Sequence, residues 1–129
     1  MQKQAKRILA AVGDLFFTIK ITDAAKRAGV QVEFVKTDKD LLEKANSLPA
    51  LIILDLNFGA VQPLKMIGKL KANSETKSIS LLGYLSHAQG ELKQKAHESG
   101  CNIVLARSAF SQNLAQILKR HAGTPWDKL

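Results

Sequence analysis

Residues 51–59, with the sequence LIILDLNFG, constrain the fold more than any other stretch of the chain. Four apolar residues run without interruption into Asp55, and Asn57 and Gly59 then supply turn formers. A short apolar run bounded by turn formers is typical of a strand buried on both faces, as in the parallel sheets of α/β domains. Because such sheets bind ligands at the carboxyl ends of their strands, Asp55 is the first candidate functional residue.

The rest of the chain repeats a strand followed by a helix. The predicted strands cover residues 8–12, 30–35, 51–55, 79–85 and 102–106. The predicted helix starts are Asp14, Thr37 (in a capping box with Asp40), Pro63, Ser86, and either Ser108 or Ser111. This alternation predicts a parallel sheet with helices on both faces, joined by right-handed crossovers. We expect one domain over residues 1–129, with its core at about residues 7–121 and a short tail at 122–129.

Composition and charge exclude several classes of protein. A single cysteine, Cys101, rules out an internal disulfide and suits a cytoplasmic protein. No apolar run reaches the roughly 18 residues that a membrane span needs, and no signal peptide is predicted. The net charge of +8 favours anionic partners, but the basic residues are scattered and are not interleaved with aromatic ones. A solvated basic surface is therefore favoured over a nucleic-acid site.

Candidate site residues, most of them polar, collect at the predicted carboxyl ends of strands one, three, four and five. In chain order they are Asp14, Asp55, Asn57, Gly83 with Tyr84, Ser86, His87, Arg107 and Ser108. The sequence has no glycine-rich phosphate loop and no nucleophile elbow, which disfavours the common nucleotide-binding and hydrolase sites. We predict no catalytic residue and expect that the protein is not an enzyme.

Residues 51–57 (LIILDLN) and 100–108 (GCNIVLARS) resemble the receiver domain of two-component response regulators, and the likeness extends from about Arg7 to His121. It implies a three-layer, doubly wound (βα)5 flavodoxin-like fold with parallel strand order 2-1-3-4-5. It implies that Asp55 accepts a phosphoryl group from a histidine kinase in a phosphorelay, and that Asn57 offers its carbonyl to Mg²⁺. The family also has an acid pair after strand one, a Ser or Thr ending strand four and a Lys ending strand five.

The chain departs from this pattern at each of the last three positions. Only Asp14 remains of the acid pair, so the implied metal ligands Asp14, Asp55 and Asn57 would hold Mg²⁺ weakly. Arg107 takes the lysine position, a substitution that is not conservative, and Ser108 follows where proline is usual. The family's Ser or Thr at the end of strand four aligns most simply with Gly83, which has no hydroxyl. Ser86, three residues later, is a possible substitute. A Gly-x-x-Ser-His over residues 83–87 and Arg-Ser-Ala-Phe over residues 107–110 also resemble a set of divergent, stand-alone receiver-like proteins.

Three candidate residues each have alternative interpretations. Asp14 is either a metal ligand or the N-cap of the first helix. Asp55 is either a phosphoacceptor, or part of an altered anion or metal site, or a structural residue that caps its loop or pairs with Arg107. His87 is either a switch near neutral pH, or a helix cap or a solvated residue.

The sequence therefore predicts a degenerate, single-domain receiver-like module of two-component signalling that acts through protein–protein contact. We expect a protein partner or a homodimer on the face formed by helix four, strand five and helix five. That face would contain Lys93, Lys95, His97, Ala106, Phe110, Gln112 and Gln116. The alternatives are a phosphoaccepting response regulator with a remodelled site at Asp55 and a basic adaptor for nucleic acid. No cofactor is expected beyond weakly bound Mg²⁺, and no membrane contact is expected.

Overall fold

The computed structural model describes residues 7–86 and 89–122, and it contains one parallel sheet with the strand order β2-β1-β3-β4-β5. The strands are β1 (Arg7–Ala11), β2 (Gln31–Phe34), β3 (Leu51–Asp55), β4 (Ser80–Leu85) and β5 (Ile103–Ala106). Every pair of neighbouring strands runs parallel. All residues of β3 are buried, as the unbroken apolar run predicts. The predicted flavodoxin-like receiver fold is confirmed.

Helices connect the strands in the predicted alternation. They are α1 (Leu15–Ala28), α2 (Asp38–Ala45), α3 (Pro63–Ala72), α4 (Gly90–Ser99) and α5 (Arg107–Ala122), and a 3-10 turn covers Gly59–Val61. The Asp14 carboxylate accepts from the Phe17 backbone N–H at 2.9 Å, and the Thr37 hydroxyl accepts from the Asp40 N–H at 3.0 Å. Both predicted caps therefore satisfy a backbone donor that the first turn of a helix leaves unpaired.

Two predicted helix starts are wrong. Ser86 belongs to a turn before α4, because the Gln89 N–H donates to its carbonyl at 3.1 Å and the helix begins at Gly90. The chain passes from β5 directly into α5 at Arg107, so Ser108 and Ser111 lie inside the helix and do not cap it. His87 and the tail from residue 123 onward lie outside the described residues.

The two faces of the sheet carry different cores. The face covered by α2, α3 and α4 is almost entirely aliphatic. The face covered by α1 and α5 contains a cluster of three aromatic rings, in which Tyr84 is stacked on Phe110 with centroids 4.6 Å apart and is tilted against Phe17 at 4.8 Å. Phe110 is fully buried in this stack, so its predicted place on an exposed contact face is wrong. Phe110, Leu114 and Leu118 recur every four residues, so they share one face of α5, and this face packs against the sheet.

In the part of the chain that the structure describes, no helix combines the length and the apolar character that crossing a bilayer requires.

Candidate functional site

Asp55 lies at the carboxyl end of the central strand and is almost completely buried, with 4% of its surface exposed. One carboxylate oxygen, Oδ1, accepts from the Asn57 backbone N–H at 3.0 Å. The other, Oδ2, accepts from the Gly13 backbone N–H at 3.4 Å. The carboxylate thus closes the turn after β3 and ties it to the loop after β1, and each of its oxygens already accepts a backbone N–H.

Asp14 and Arg107 form an ion pair across the same edge of the sheet. Arg107 Nη2 donates to Asp14 Oδ2 at 2.6 Å, while Asp14 Oδ1 accepts the capping bond from Phe17. The guanidinium carbon lies 5.0 Å from the centroid of the Phe17 ring, a cation–π distance. The hypothesis that Arg107 pairs with Asp55 is therefore wrong. Arg107 opens α5 and α5 packs against α1, so the guanidinium reaches the N-cap of α1 instead.

The environment of Asp14 favours its charged form. Burial alone would raise the pKa of the carboxyl, but the hydrogen bond from the Phe17 backbone and the contact with Arg107 outweigh this effect. The net result is a pKa below the ordinary value for aspartate. Asp14 is consequently an ionised helix cap with a bound guanidinium at neutral pH.

Tyr84 is a site residue that the sequence did not single out for a role. The register of the sheet pairs Tyr84 with Asp55, and Tyr84 has no exposed surface. Burial and the negative charges of Asp55 and Asp14 raise the pKa of its hydroxyl far above the usual value, so it stays neutral. This hydroxyl makes no hydrogen bond of full geometry with a described residue, but its contact with the Asp55 carboxylate, toward which it would donate, is one of the causes that raise its pKa. The only signal in the sequence is a polar aromatic residue within an apolar strand that leads to the crevice.

Two glycines beside the crevice are packed against apolar side chains. A Cβ atom on Gly13 would lie 2.6 Å from Cδ1 of Phe58, so the Phe58 ring fills the space beside Gly13. A Cβ atom on Gly83 would lie 2.9 Å from Cδ1 of Leu56. Gly83 is therefore a packing residue inside β4. Ser86 follows directly after the last residue of β4.

The remaining predicted site residues contribute less. Ser86 is exposed, and its backbone N–H donates to Gln89 Oε1 at 3.2 Å. Asn57 is exposed and contributes its backbone N–H to Asp55. Ser108 is exposed on the first turn of α5. The structure therefore brings Asp14, Asp55 and Arg107 together with Tyr84, to which the sequence assigned no role.

This donor set fits a divalent cation poorly. Mg²⁺ requires near-octahedral oxygen ligands and usually one or two carboxylates. Both oxygens of Asp14 and both oxygens of Asp55 already accept N–H groups. Within residues 7–86 and 89–122, no three His, Cys, Asp or Glu side chains are grouped so that they could hold a metal ion. The positive charge at Asp14 comes instead from Arg107.

Comparison with solved structures identifies the same architecture in receiver domains. The chemotaxis response regulator CheY4 of Vibrio cholerae has 20% identity and a TM-score of 0.77, over 92% of this chain and 99% of that one. A response regulator from Hahella chejuensis has 16% identity and a TM-score of 0.80, over 91% and 95%. The receiver domain of sensor histidine kinase PA1611 from Pseudomonas aeruginosa, solved with a magnesium ion coordinated in its active-site cleft, has 16% identity and a TM-score of 0.78, over 94% and 100%.

No protein-family model matches the chain, and neither does any curated protein. At identities of 20% or less, the solved structures establish the fold and not the chemistry of the site. The predicted resemblance to receiver domains is confirmed as a likeness of fold.

Proposed function

We propose that this protein is a receiver-type signal-transduction module that acts through protein–protein contact, and not through Mg²⁺-dependent phosphorylation of Asp55. One observation carries the proposal: Arg107 binds Asp14 at 2.6 Å. Among the residues that the structure describes, the only other acid of the crevice is thereby engaged by an internal cation, and no acid pair is left to hold a metal ion.

The surroundings of Asp55 support this proposal. To accept a phosphoryl group, a carboxylate oxygen must attack the phosphorus of a donor while the donor's leaving group departs. Asp55 is 4% exposed, and both of its oxygens accept backbone N–H groups. Hydrogen-bonded oxygens without an adjacent divalent ion are poor nucleophiles toward an anionic donor, because the charges of donor and carboxylate repel each other.

Incubation with acetyl phosphate and Mg²⁺, followed by intact-mass measurement, tests the proposal. We expect no gain of one phosphoryl mass, whereas a receiver domain with a complete acid pair, treated in parallel, should gain it. Asp55→Asn is the matched variant. A mass gain in the unmodified chain that Asp55→Asn abolishes would overturn the proposal.

The second candidate is a phosphoaccepting response regulator with a remodelled site. The observation that favours it is positional: Asp55 ends β3, Ser86 follows β4 and Arg107 follows β5, all at one edge of the sheet. In this version Arg107 would leave Asp14 and its planar fork would bind oxygens of the phosphoryl group. The same mass measurement decides between the two candidates, since only this one requires a gain.

The contact surface that we propose is the face of α4, β5 and α5. Its exposed polar residues include Lys93, Lys95, His97, Gln112 and Gln116. A groove of about 210 Å³ runs between β5 and α5. Ile103, Leu105 and Ile117 give it apolar walls, and Gln116 and Arg120 are among its polar lining residues. An apolar groove with a polar rim is the usual composition of a protein-binding surface.

We propose that the partner presents an acidic surface to the α5 side of this face. Lys119 and Arg120 on α5 are exposed there. On α4, the exposed Lys93 and Lys95 are balanced by the exposed Glu91 and Glu98, and the whole chain carries a net charge of +8. Complementary charge speeds association and disfavours like-charged partners. A second copy of this chain would bring two basic surfaces together, so a homodimer through this face is disfavoured.

A photo-crosslinking residue at Gln116, compared with one at Lys39 on α2, tests this surface in the native cell. We expect a defined crosslinked product from position 116 and none from position 39. Arg120→Glu should remove the product, and the control Lys26→Glu on α1 should not. Identical products from both positions, or insensitivity to Arg120→Glu, would contradict the proposed face.

Helix α1 offers a competing surface that the same experiment examines. Leu15, Phe16 and Ile19 are 74%, 60% and 54% exposed, and they follow directly after Asp14. Clustered apolar residues of this kind often mark contact sites. A crosslinker at Ile19 therefore belongs in the experiment, and a product found there and not at Gln116 would move the contact from α5 to α1.

A further inference from the structure

We propose that the tail, residues 123–129, folds back over the groove between β5 and α5 and places the Trp126 side chain in it. The tail then covers part of the contact surface, and a partner has to displace it. The inference rests on the proposed function, in which this groove belongs to the contact surface. It goes further, because it names a segment of the chain that competes with the partner for the groove.

The groove has apolar walls that are accessible from solvent. Ile103 and Leu105 of β5 and Ile117 of α5 line it, and its volume is about 210 Å³. Ile103 is 37% exposed, although it belongs to a strand of the sheet. β5 is the last strand in the order of the sheet, so no other described strand shields its outer side. Exposed apolar side chains beside such a groove are typical of a contact site.

The tail starts close to this groove. α5 ends at Ala122, and the α5 residues that line the groove lie in the second half of the helix. Ile117 precedes Ala122 by five residues, which corresponds to about 7.5 Å along a helix. Trp126 follows Ala122 by four residues, and four extended residues span about 13 Å. A tail that reverses its direction after Ala122 is therefore long enough to bring Trp126 beside Ile117.

The sequence of the tail favours such a reversal. Gly123 follows the last residue of α5, and a glycine in this place readily adopts the left-handed conformation that ends a helix and redirects the chain. Pro125 cannot continue a helix. Trp126 comes next, and a tryptophan ring removes a large apolar area from water when it packs. The tail therefore combines a helix stop and an apolar anchor within four residues.

The charges of the tail and of α5 are complementary. Asp127 follows Trp126 directly, so a tail with Trp126 in the groove brings a carboxylate to its rim. Arg120 lines the groove, is exposed, and forms no salt bridge with a described residue. An exposed ion pair adds little binding energy but favours one orientation. Trp126 therefore supplies most of the binding energy, and Asp127 with Arg120 sets the direction of the tail.

The covalent link favours the tail over a separate molecule as the occupant. A segment joined directly to α5 meets the groove at an effective concentration on the order of millimolar. A second copy of the chain has no such advantage and would bring its own basic α5 toward this one. The tail is therefore the occupant that we expect when no partner is bound.

Fluorescence quenching tests the contact, because Trp126 is the only tryptophan in the chain. Acrylamide quenching of the dilute protein measures how exposed the indole ring is. We expect quenching about twofold weaker in the unmodified chain than in Ile103→Ser, because a groove shields about one face of the ring. Ile19→Ser makes the same change at an exposed isoleucine on α1, and this control should leave the quenching unchanged.

Charge reversal tests the same contact without altering the apolar walls, so it also serves if Ile103→Ser does not fold. Arg120→Glu places a negative charge beside Asp127 and should raise the quenching. Adding Asp127→Lys to Arg120→Glu restores an attractive pair and should lower the quenching again. Lys26→Glu on α1 is the control for net charge and should have no effect.

The outcomes distinguish this inference from the proposed function. If the unmodified chain is quenched as strongly as a free peptide of residues 123–129, and no variant changes this, the inference fails. Shielding that grows with protein concentration would overturn it as well, since the occupant would then be a second copy. Neither result touches the contact face, which crosslinking at Gln116 tests separately.

Competition with the partner is tested by the same crosslinker at Gln116 in the native cell. Trp126→Ser frees the groove and should increase the crosslinked product about twofold, because a larger fraction of the chain is then able to bind. Loss of the product in Trp126→Ser would overturn the inference, since the tail would then assist the partner, and the contact face would stand. A shielded Trp126 with no product at Gln116 would support the tail contact and contradict the proposed face.

Discussion

Two arginine ion pairs of the same length lie in different regions of this molecule, and their charge balance is opposite. Arg7 binds Glu33 at 2.6 Å, and Lys44 binds the same carboxylate, so two cations share one acid. Arg107 binds Asp14 at 2.6 Å beside the buried Asp55, so two acids share one cation. The first cluster has a spare cation and links β1, β2 and α2. The second lacks one, and it lies where the strand ends form a crevice.

The difference teaches that the location of an ion pair, and not its length, decides what the pair can do. The side chains of Arg7 and Glu33 are 35% and 38% exposed, close to the 39% and 29% of Arg107 and Asp14. Exposed pairs of this kind typically contribute about 0–1 kcal/mol to stability. We therefore expect similar direct contributions, and the predictions below look for the properties in which the two clusters differ.

The largest expected difference comes from the acids. Asp14→Ala removes a helix cap as well as the partner of Arg107, so we expect the free energy of unfolding to fall by about 1–2 kcal/mol. Glu33→Ala removes only a surface acid and should cost less than about 1 kcal/mol. Urea denaturation of both variants measures this, and Asp14→Ser, which can still cap α1, should recover most of the loss. Equal losses for Asp14→Ala and Glu33→Ala would break the comparison.

Tyr84 sharpens the comparison, because only the crevice contains an unpaired buried hydroxyl among the described residues. Tyr84→Phe removes that hydroxyl and keeps the ring in contact with Phe17 and Phe110. We expect the free energy of unfolding to rise by about 1 kcal/mol, since an unsatisfied buried polar group is costly. Thermal and urea denaturation would reveal the gain. A loss of more than about 1 kcal/mol would mean that the hydroxyl has a hydrogen-bond partner, either the Asp55 carboxylate beside it or a buried water.

Double-mutant cycles should give a smaller difference. We expect the coupling between Arg107 and Asp14 to reach at most about 1 kcal/mol, and that between Arg7 and Glu33 to be about half as large. The reason is that Lys44 still binds Glu33 after Arg7→Gln, whereas no other described cation binds Asp14. The cycles use Arg107→Gln with Asp14→Asn, and Arg7→Gln with Glu33→Gln. A larger coupling for the Arg7 pair would contradict the charge balance described here.

The pH dependence of stability should show the smallest effect. In both clusters, acidification should lower the free energy of unfolding. The hydrogen bond from Lys44 is the main cause that lowers the pKa of Glu33, and the contacts with Phe17 and Arg107 outweigh burial at Asp14. A carboxyl whose pKa is lower in the folded state stabilises the fold above its unfolded pKa of about 4. That contribution is lost as the pH falls from about 4 through the folded pKa. Asp14→Asn and Glu33→Gln should each reduce the loss of stability that the urea midpoint records on acidification.

Much of the fold was predictable because it depends on local patterns. The apolar run before Asp55 indicates a strand buried on both faces, and Asp14 and Thr37 lie where a helix start needs a side-chain acceptor. These features depend on residues a few positions apart. They therefore require no knowledge of how the helices pack on one another.

The site was less predictable because it depends on tertiary packing. Arg107 and Asp14 are separated by 93 positions, and they meet only because α5 packs against α1. The burial of Phe110 and the contact between Leu56 and Gly83 likewise follow from packing across the sheet. The sequence could list the residues of the crevice, but the pairing of its charges needed the structure.

The central claim is that Arg107, and not a metal ion, neutralises Asp14. A crystal structure grown with millimolar MgCl₂ tests it most directly. We expect Arg107 Nη2 within hydrogen-bond distance of Asp14 Oδ2 and no metal density between Asp14 and Asp55. A Mg²⁺ ion bound by both carboxylates and the Asn57 carbonyl, with Arg107 turned away, would contradict the account.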